Sequence, residues 1–167
     1  MAALTVNIHA TALRLAKAGA VFGVPKNFGV LLTGRSGAGK SDLALRLIGR
    51  GAELVADDRT DLFLDRGKLL AKAPAAIAGL LEVRGVGILA LPWTAKAPIG
   101  LVVRLGKAPA RLPEPEFFRP PAALALKPKA FPPVISLAAF EASAPEKLLV
   151  AAAAFARGLH REEVNPI

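Results

Sequence analysis

Apolar and polar residues alternate from Val6 to Leu15, and this period of two predicts a strand. A stretch rich in glycine, AGAVFGVPKNFG over 18–29, interrupts it; its glycines and Pro25 predict a loop or hairpin. Val30–Thr33 is a short apolar run ending at Gly34, the mark of a buried strand. Over residues 40–50 the period changes. Leu43 pairs with Leu47 and Ala44 with Ile48, the i,i+4 spacing of one helix face, and Gly51 suits its stop. AELVADD (52–58) predicts a strand ending in two acids. DLFLD (61–65) and KLLAK (68–72) flank Arg66-Gly67, a hairpin signal.

Beyond the hairpin, Pro74–Leu81 predicts one turn or two of helix. LEVRGVGILAL (81–91) reads as a strand whose two glycines imply close backbone approach. Ile99–Leu105 and Val134–Leu137 predict two further strands. Residues 107–133 hold eight prolines, so the segment between those strands is expected to be irregular. Ser143 or Ala144 opens a helix with Pro145 in its first turn, continuing to about His160. Leu69, Trp93 and that last helix are candidates for core or interface. There is no internal repeat, and residues 1–167 are expected to form a single domain.

Composition narrows the class. Of 167 residues, 53% are hydrophobic and 21% charged, which excludes a disordered chain. No apolar run reaches the roughly 20 residues that span a bilayer, and the N-terminus lacks the pattern of a signal peptide. Cysteine is absent, excluding disulfides and thiolate metal sites; a cytoplasmic protein is expected. The chain carries 22 Lys plus Arg against 13 Asp plus Glu, a net charge of +9, yet residues 1–41 contain no acid and seven of the 13 acids lie between Asp42 and Glu82. The basic residues are scattered and there is no Tyr, so neither nucleic acid nor membrane is expected as a partner.

One stretch carries explicit chemistry. Gly34-Arg35-Ser36-Gly37-Ala38-Gly39-Lys40-Ser41 satisfies G-x-x-x-x-G-K-S/T, between a strand and a helix. Glycines let the backbone curl so that several N–H groups point at one anion, and the helix N-terminus faces the same phosphates. Lys40 would reach the β and γ oxygens, and the Ser41 hydroxyl would ligate Mg²⁺. A phosphoryl transferase also needs a group that positions or deprotonates the nucleophile. Asp57 and Asp58 are the candidates, one for Mg²⁺ and the other for the acceptor's proton, provided their strand lies near the cradle.

The segments GRSGAGKSDLALRLIGRGAELVADD and LLEVRGVGIL together resemble the HPr kinase/phosphorylase family in its catalytic domain, with the likeness running from about Asn7 to Arg111. The resemblance implies an α/β P-loop kinase domain akin to phosphoenolpyruvate carboxykinase, with a mixed sheet and flanking helices. It implies ATP- and Mg²⁺-dependent phosphorylation of a serine on HPr, the phosphocarrier of the sugar phosphotransferase system. Hexameric assembly and, in many members, reverse phosphorolysis are also implied. Carried over by motif, Lys40 is the P-loop lysine, Ser41 and Glu82 are metal ligands, and Asp58 is the catalytic acid–base with Asp57 beside it. Arg84, Gly85 and Gly87 lie in the segment that supports both directions. His9, in NIHAT, resembles an active-site histidine, and Arg111, in ARLPEPE, an arginine that meets HPr.

The chain departs from the family pattern in several places. It starts almost at the catalytic domain, as short forms do. Extra residues lie between His9 and Gly34, and Asp42 stands where Glu is common. The Pro/Arg/Gly segment linked to the reverse reaction is replaced by FPPVISLAAFEAS, so weak phosphorolysis is expected. Two rival readings stay open on sequence alone: a small P-loop kinase acting on a metabolite or nucleotide, and an ATP-sensing module without transfer.

Overall fold

A computed structural model describes residues 3–158. In chain order it contains β1 (Thr5–His9), β2 (Thr11–Arg14), β3 (Gly29–Thr33), α1 (Lys40–Ile48), β4 (Glu53–Ala56), β5 (Arg59–Asp65) and β6 (Lys68–Lys72), followed by β7 (Leu80–Val83), β8 (Gly87–Ala90), β9 (Lys96–Leu105), β10 (Glu116–Phe117), β11 (Pro133–Leu137) and α2 (Ala144–Ala156). The main sheet runs β1-β5-β6-β9-β3-β2-β4, with β11 also on β9 and β10 on β11. Only the β3–β9 and β9–β11 pairs are parallel; the other pairs in this sheet are antiparallel. β9 is long enough to serve two partners along one edge. Residues 96–98 pair with β6, and residues 102–105 pair with β11.

Both faces of the central strands are buried, which explains why they read as continuous apolar runs rather than alternating ones. Val30 and Leu32 of β3 and Leu101 and Val103 of β9 face α1 and α2, where Leu43, Leu47, Leu148 and Leu149 cover them. Leu31 and Val102, between them in sequence, face the other way and meet Leu62, Leu69 and Ala71 of the β5–β6 hairpin. The sheet curls, so the hairpin strands close over the face the helices leave open. α1 presents Leu43, Ala44 and Leu47 to the core, as its i,i+4 spacing requires, and Gly51 turns the chain out of it at φ +107°.

Several expectations are corrected. Val6–Leu15 is two strands, not one. The chain changes partners at Ala10: β1 pairs with β5, and β2 with β3 and β4. Pro74–Leu81 does hold one helical turn, of 3-10 type (Ala75–Ile77), but β7 already begins at Leu80. LEVRGVGILAL is a hairpin, β7–β8, rather than a strand. Its glycines serve the turn and not close approach: Gly85 and Gly87 have φ of +83° and +134°, and a Cβ on either would meet nothing within 4 Å. Trp93 is half-exposed and packs over Gly79, while Leu69 is in the core as expected. The Pro-rich segment carries the short β10 and two 3-10 turns, and Leu124 of the first of these turns is buried under the sheet. α2 begins after Ser143, with Pro145 in its first turn, and ends at Ala156; His160 lies outside the described residues.

Candidate functional site

β3 delivers the chain into the Gly34–Ser41 loop at the carboxyl end of the parallel strands, where open α/β sheets bind their ligands. Gly34 passes so close to β9 that a Cβ would lie 2.8 Å from the Leu105 carbonyl oxygen. Gly37 and Gly39 take φ of +83° and +100°, curling the loop around an open centre. No side chain caps the N-terminus of α1, so its first amides remain available to an anion. The Lys40 ammonium is folded against the loop, donating to the Gly34 and Arg35 carbonyl oxygens at 2.7 and 3.0 Å. Burial pulls its pKa below the ordinary lysine value, with Asp58 and Asp57 opposing that shift through their charge. The result is a desolvated cation at the floor of an anion cradle.

Asp57 and Asp58 follow β4, which is not adjacent to the P-loop strand: β2 lies between them. The acids nevertheless reach the cradle, because the chain turns inward after Ala56. Asp57 is buried and fully engaged. Its Oδ1 accepts from the Ser41 hydroxyl at 2.8 Å and from Thr11 at 3.1 Å, and its Oδ2 accepts from the Glu82 backbone N–H at 3.2 Å. Asp58 differs in every respect. Its side chain is 62% exposed and lies 2.7 Å from His9 Nε2. The Arg59 N–H donates to the Asp57 carbonyl at 2.6 Å, closing a γ-turn around Asp58 at φ +62°. That positive-φ turn is rare and strained, and strain of this kind costs about 1–3 kcal/mol. The turn rotates the Asp58 carboxylate out of the strand and into the cleft.

Thr11 is the site residue that sequence reasoning missed. It is fully buried, and its one hydroxyl donates to Asp57 while accepting the Asp58 N–H at 3.1 Å. A lone Thr inside an apolar run gives no signal of this; its position two residues after His9 is the only clue. Thr11→Val keeps the shape but strands the Asp58 N–H, and stability is expected to fall by about 1–3 kcal/mol. Thr11→Ser should recover most of that loss. Denaturant midpoints compare the two, and equal losses in both would show that the hydroxyl contributes nothing.

The cleft above the cradle has a volume of about 300 Å³. Gly37, Lys40, Ser41 and Asp58 form one end, and Glu82, Val83 and Arg84 overhang it from the β7–β8 hairpin. Glu82 and Arg84 are exposed, not a buried pair. Ser36 and Gly39 line the cleft as well, whereas Gly34, Arg35 and Ala38 do not. His9 touches the cleft only through Asp58. Arg111 is exposed in the connection between β9 and β10 and is not brought to the cleft. Among the described residues, no group of three or more His, Cys, Asp or Glu side chains is placed to hold a metal alone. Mg²⁺ does not require one, since it commonly takes one or two carboxylates together with phosphate oxygens and water. The Ser41–Asp57 pair beside an anion cradle fits that mode.

A parallel strand leading into a glycine loop, a lysine and a hydroxyl at a helix N-terminus, and a buried acid bonded to that hydroxyl define a P-loop fold of the mixed α/β class. Residues 11–94 match the model of the HPr Serine kinase C-terminal domain, and the chain belongs to that family. It is 49% identical over 80 residues to the HPr kinase/phosphorylase of Lactobacillus acidophilus, covering 46% of this chain and 25% of that one. It is 53% identical over 64 residues to the HPr kinase/phosphorylase of Clostridium tetani, covering 38% and 21%. These matches therefore span a quarter or less of the relatives' own length. The solved structure of the Hpr(Ser) kinase/phosphatase from Coxiella burnetii superposes with a TM-score of 0.65 at 25% identity, covering 93% of this chain and 96% of that one.

Proposed function

We propose that the chain is an ATP- and Mg²⁺-dependent kinase that phosphorylates a serine of HPr, with residues 1–167 acting as one catalytic unit. The observation that carries this reading is the division between the two acids. Asp57 is held in place by three donors beside Ser41, while Asp58 projects into the cleft with one oxygen on His9. When bound, Mg·ATP supplies the transferable γ-phosphoryl group and the cation that offsets its charge. Lys40 and the loop amides hold the β and γ oxygens. Ser41 and Asp57 hold Mg²⁺, with Glu82 reaching it from the hairpin. Asp58 accepts the proton of the serine hydroxyl as that oxygen bonds to the γ-phosphorus, the bond from that phosphorus to the β-phosphate oxygen breaks, and ADP leaves. His9 fixes the rotamer of Asp58. Arg84 and the Gly85–Gly87 turn border the acceptor side, and Arg111 contacts HPr when it docks. A cytoplasmic homo-oligomer, hexameric by family likeness, belongs to the same proposal. Among the described residues, no helix is long and apolar enough to cross a membrane.

The test is incubation of the chain with Mg·ATP and purified HPr, read as a phosphoserine mass shift on HPr. Absence of that shift in protein that binds ATP would overturn the reading. The direction of reaction gives a second expectation. Residues 134–143, after the proline-rich segment, contain no Arg or Lys. The guanidinium that reaches this stretch from α1, Arg46, is already bonded to the Ala139 and Glu141 carbonyl oxygens and to Asp42. Inorganic phosphate therefore lacks a free clamp on that side. Phosphorolysis of phosphoserine-HPr at millimolar phosphate, followed as pyrophosphate, is expected to run well below the forward rate. Equal rates would show that another cation supplies the contact.

A further inference from the structure

The lining of the cleft is not polar throughout. Leu45, one turn beyond Ser41 on α1, lines it together with Val83 and Phe140. Phe140 is 70% exposed, so its ring is open to a ligand in the cleft. It lies in the loop after β11, the third strand of the parallel set that includes β3, so loop and cradle share the carboxyl edge of the sheet. The two are in direct contact. A Cβ on Gly39 would sit 2.7 Å from the Ala139 Cβ and 3.1 Å from the Phe140 Cζ. The loop is also held rigidly. Arg46 donates to the Ala139 and Glu141 carbonyl oxygens and pairs with Asp42 at 2.9 Å, while Glu141 pairs with Lys147 at 2.7 Å.

The geometry points to Phe140 as the platform on which the nucleobase of the bound nucleotide stacks, with Leu45 and Val83 as the apolar wall facing it. The phosphates fix the polar end of the ligand at Gly37–Ser41, and the helix start at Ser41–Asp42 faces the α-phosphate. The ring stands against Gly39, just before α1, and lines the same cleft as Leu45 of the helix, so a base leaving the loop on that side would meet it. Phe140 is the aromatic side chain among the residues lining this cleft. Aromatic stacking on a base depends on the π-face and tolerates any base, so Phe140 contributes affinity more than discrimination between purines.

The inference rests on the reading of the cradle as a nucleoside triphosphate site, and a ligand without a base separates the two. Titration calorimetry in Mg²⁺ compares ATP with inorganic tripolyphosphate on the wild type, Phe140→Ala and Phe140→Trp. The expected result is ATP affinity lowered about ten- to hundredfold in Phe140→Ala, the span that corresponds to losing one stacked base. Tripolyphosphate should bind within about twofold of the wild type in that variant, which also shows that its cradle is folded. Phe140→Trp should keep or strengthen ATP binding. ATP affinity unchanged in Phe140→Ala overturns the platform. Equal weakening of ATP and tripolyphosphate also overturns it, because the ring would then be a prop for Gly39. If the wild type binds neither ligand, the nucleotide reading fails and the platform fails with it.

Discussion

Asp58→Asn is expected to bind ATP within about tenfold of the wild type and to lose phosphoryl transfer to HPr by about 10² to 10⁴-fold. The nucleotide is held by the loop amides, Lys40 and Ser41, none of which bonds to Asp58. The chemical step needs a carboxylate with a free oxygen at the cleft. Asp57 cannot substitute, because its oxygens already accept from Ser41, Thr11 and Glu82. Asn is the right replacement because, with Asp, it is one of the few non-glycine residues that visit the left-handed region cheaply. The γ-turn at φ +62° should therefore survive, whereas Ala there would confound lost chemistry with added strain. The amide oxygen can still accept from His9, so that contact is not the variable. Asp57→Asn is the paired experiment. Its NH₂ group would face the donors of Ser41, Thr11 or Glu82, so loss of stability and of Mg²⁺ affinity is expected there first. Full transfer activity in Asp58→Asn with none in a folded Asp57→Asn would mean that the roles are reversed.

What was legible in the sequence was what is local. Gly34–Ser41 and the α1 face are short-range patterns, set by glycine torsions and by a period of 3.6, and the structure has them where the residues place them. The Arg66-Gly67 turn is of the same kind, with both residues at positive φ. The larger misreadings are matters of partnership. Alternation continues through Ala10, so nothing in the string reveals that β1 and β2 belong to opposite ends of the sheet order. Two glycines in LEVRGVGILAL signal special backbone, but not whether the cause is crowding or a turn; the empty space around Gly85 and Gly87 decides for the turn. The nearness of Asp57 to the cradle was conditional on an adjacent strand. It arises instead across the intervening β2, which supplies the bridging hydroxyl of Thr11. Phe140 and Arg46 are 94 residues apart, and only the parallel register of β11 on β9 brings the Phe140 loop onto the cradle.

Lys40→Met should weaken nucleotide binding and cut phosphoryl transfer by more than about a hundredfold while leaving the free protein about as stable as before, an unusual combination that follows from where the ammonium sits. Without nucleotide its partners are the Gly34 and Arg35 carbonyl oxygens, and its burial disfavours the charged form. Removing it forfeits two hydrogen bonds, each worth about 1 kcal/mol net, and relieves a desolvated charge that opposes them. Methionine keeps an unbranched stem of similar length, so the loop is not left with a cavity. The melting temperature of the free protein should therefore move little. With Mg·ATP the balance is different, because the buried lysine charge would face the β and γ oxygens. Loss of one such preorganised contact is worth on the order of 3 kcal/mol in the transition state, or more than a hundredfold in rate. The ATP-dependent rise in melting temperature should shrink, and transfer to HPr should fall with it. A large fall in the melting temperature without ATP would instead make Lys40 a structural member of the loop. A preserved ATP-dependent rise would place the phosphates somewhere other than Gly34–Ser41.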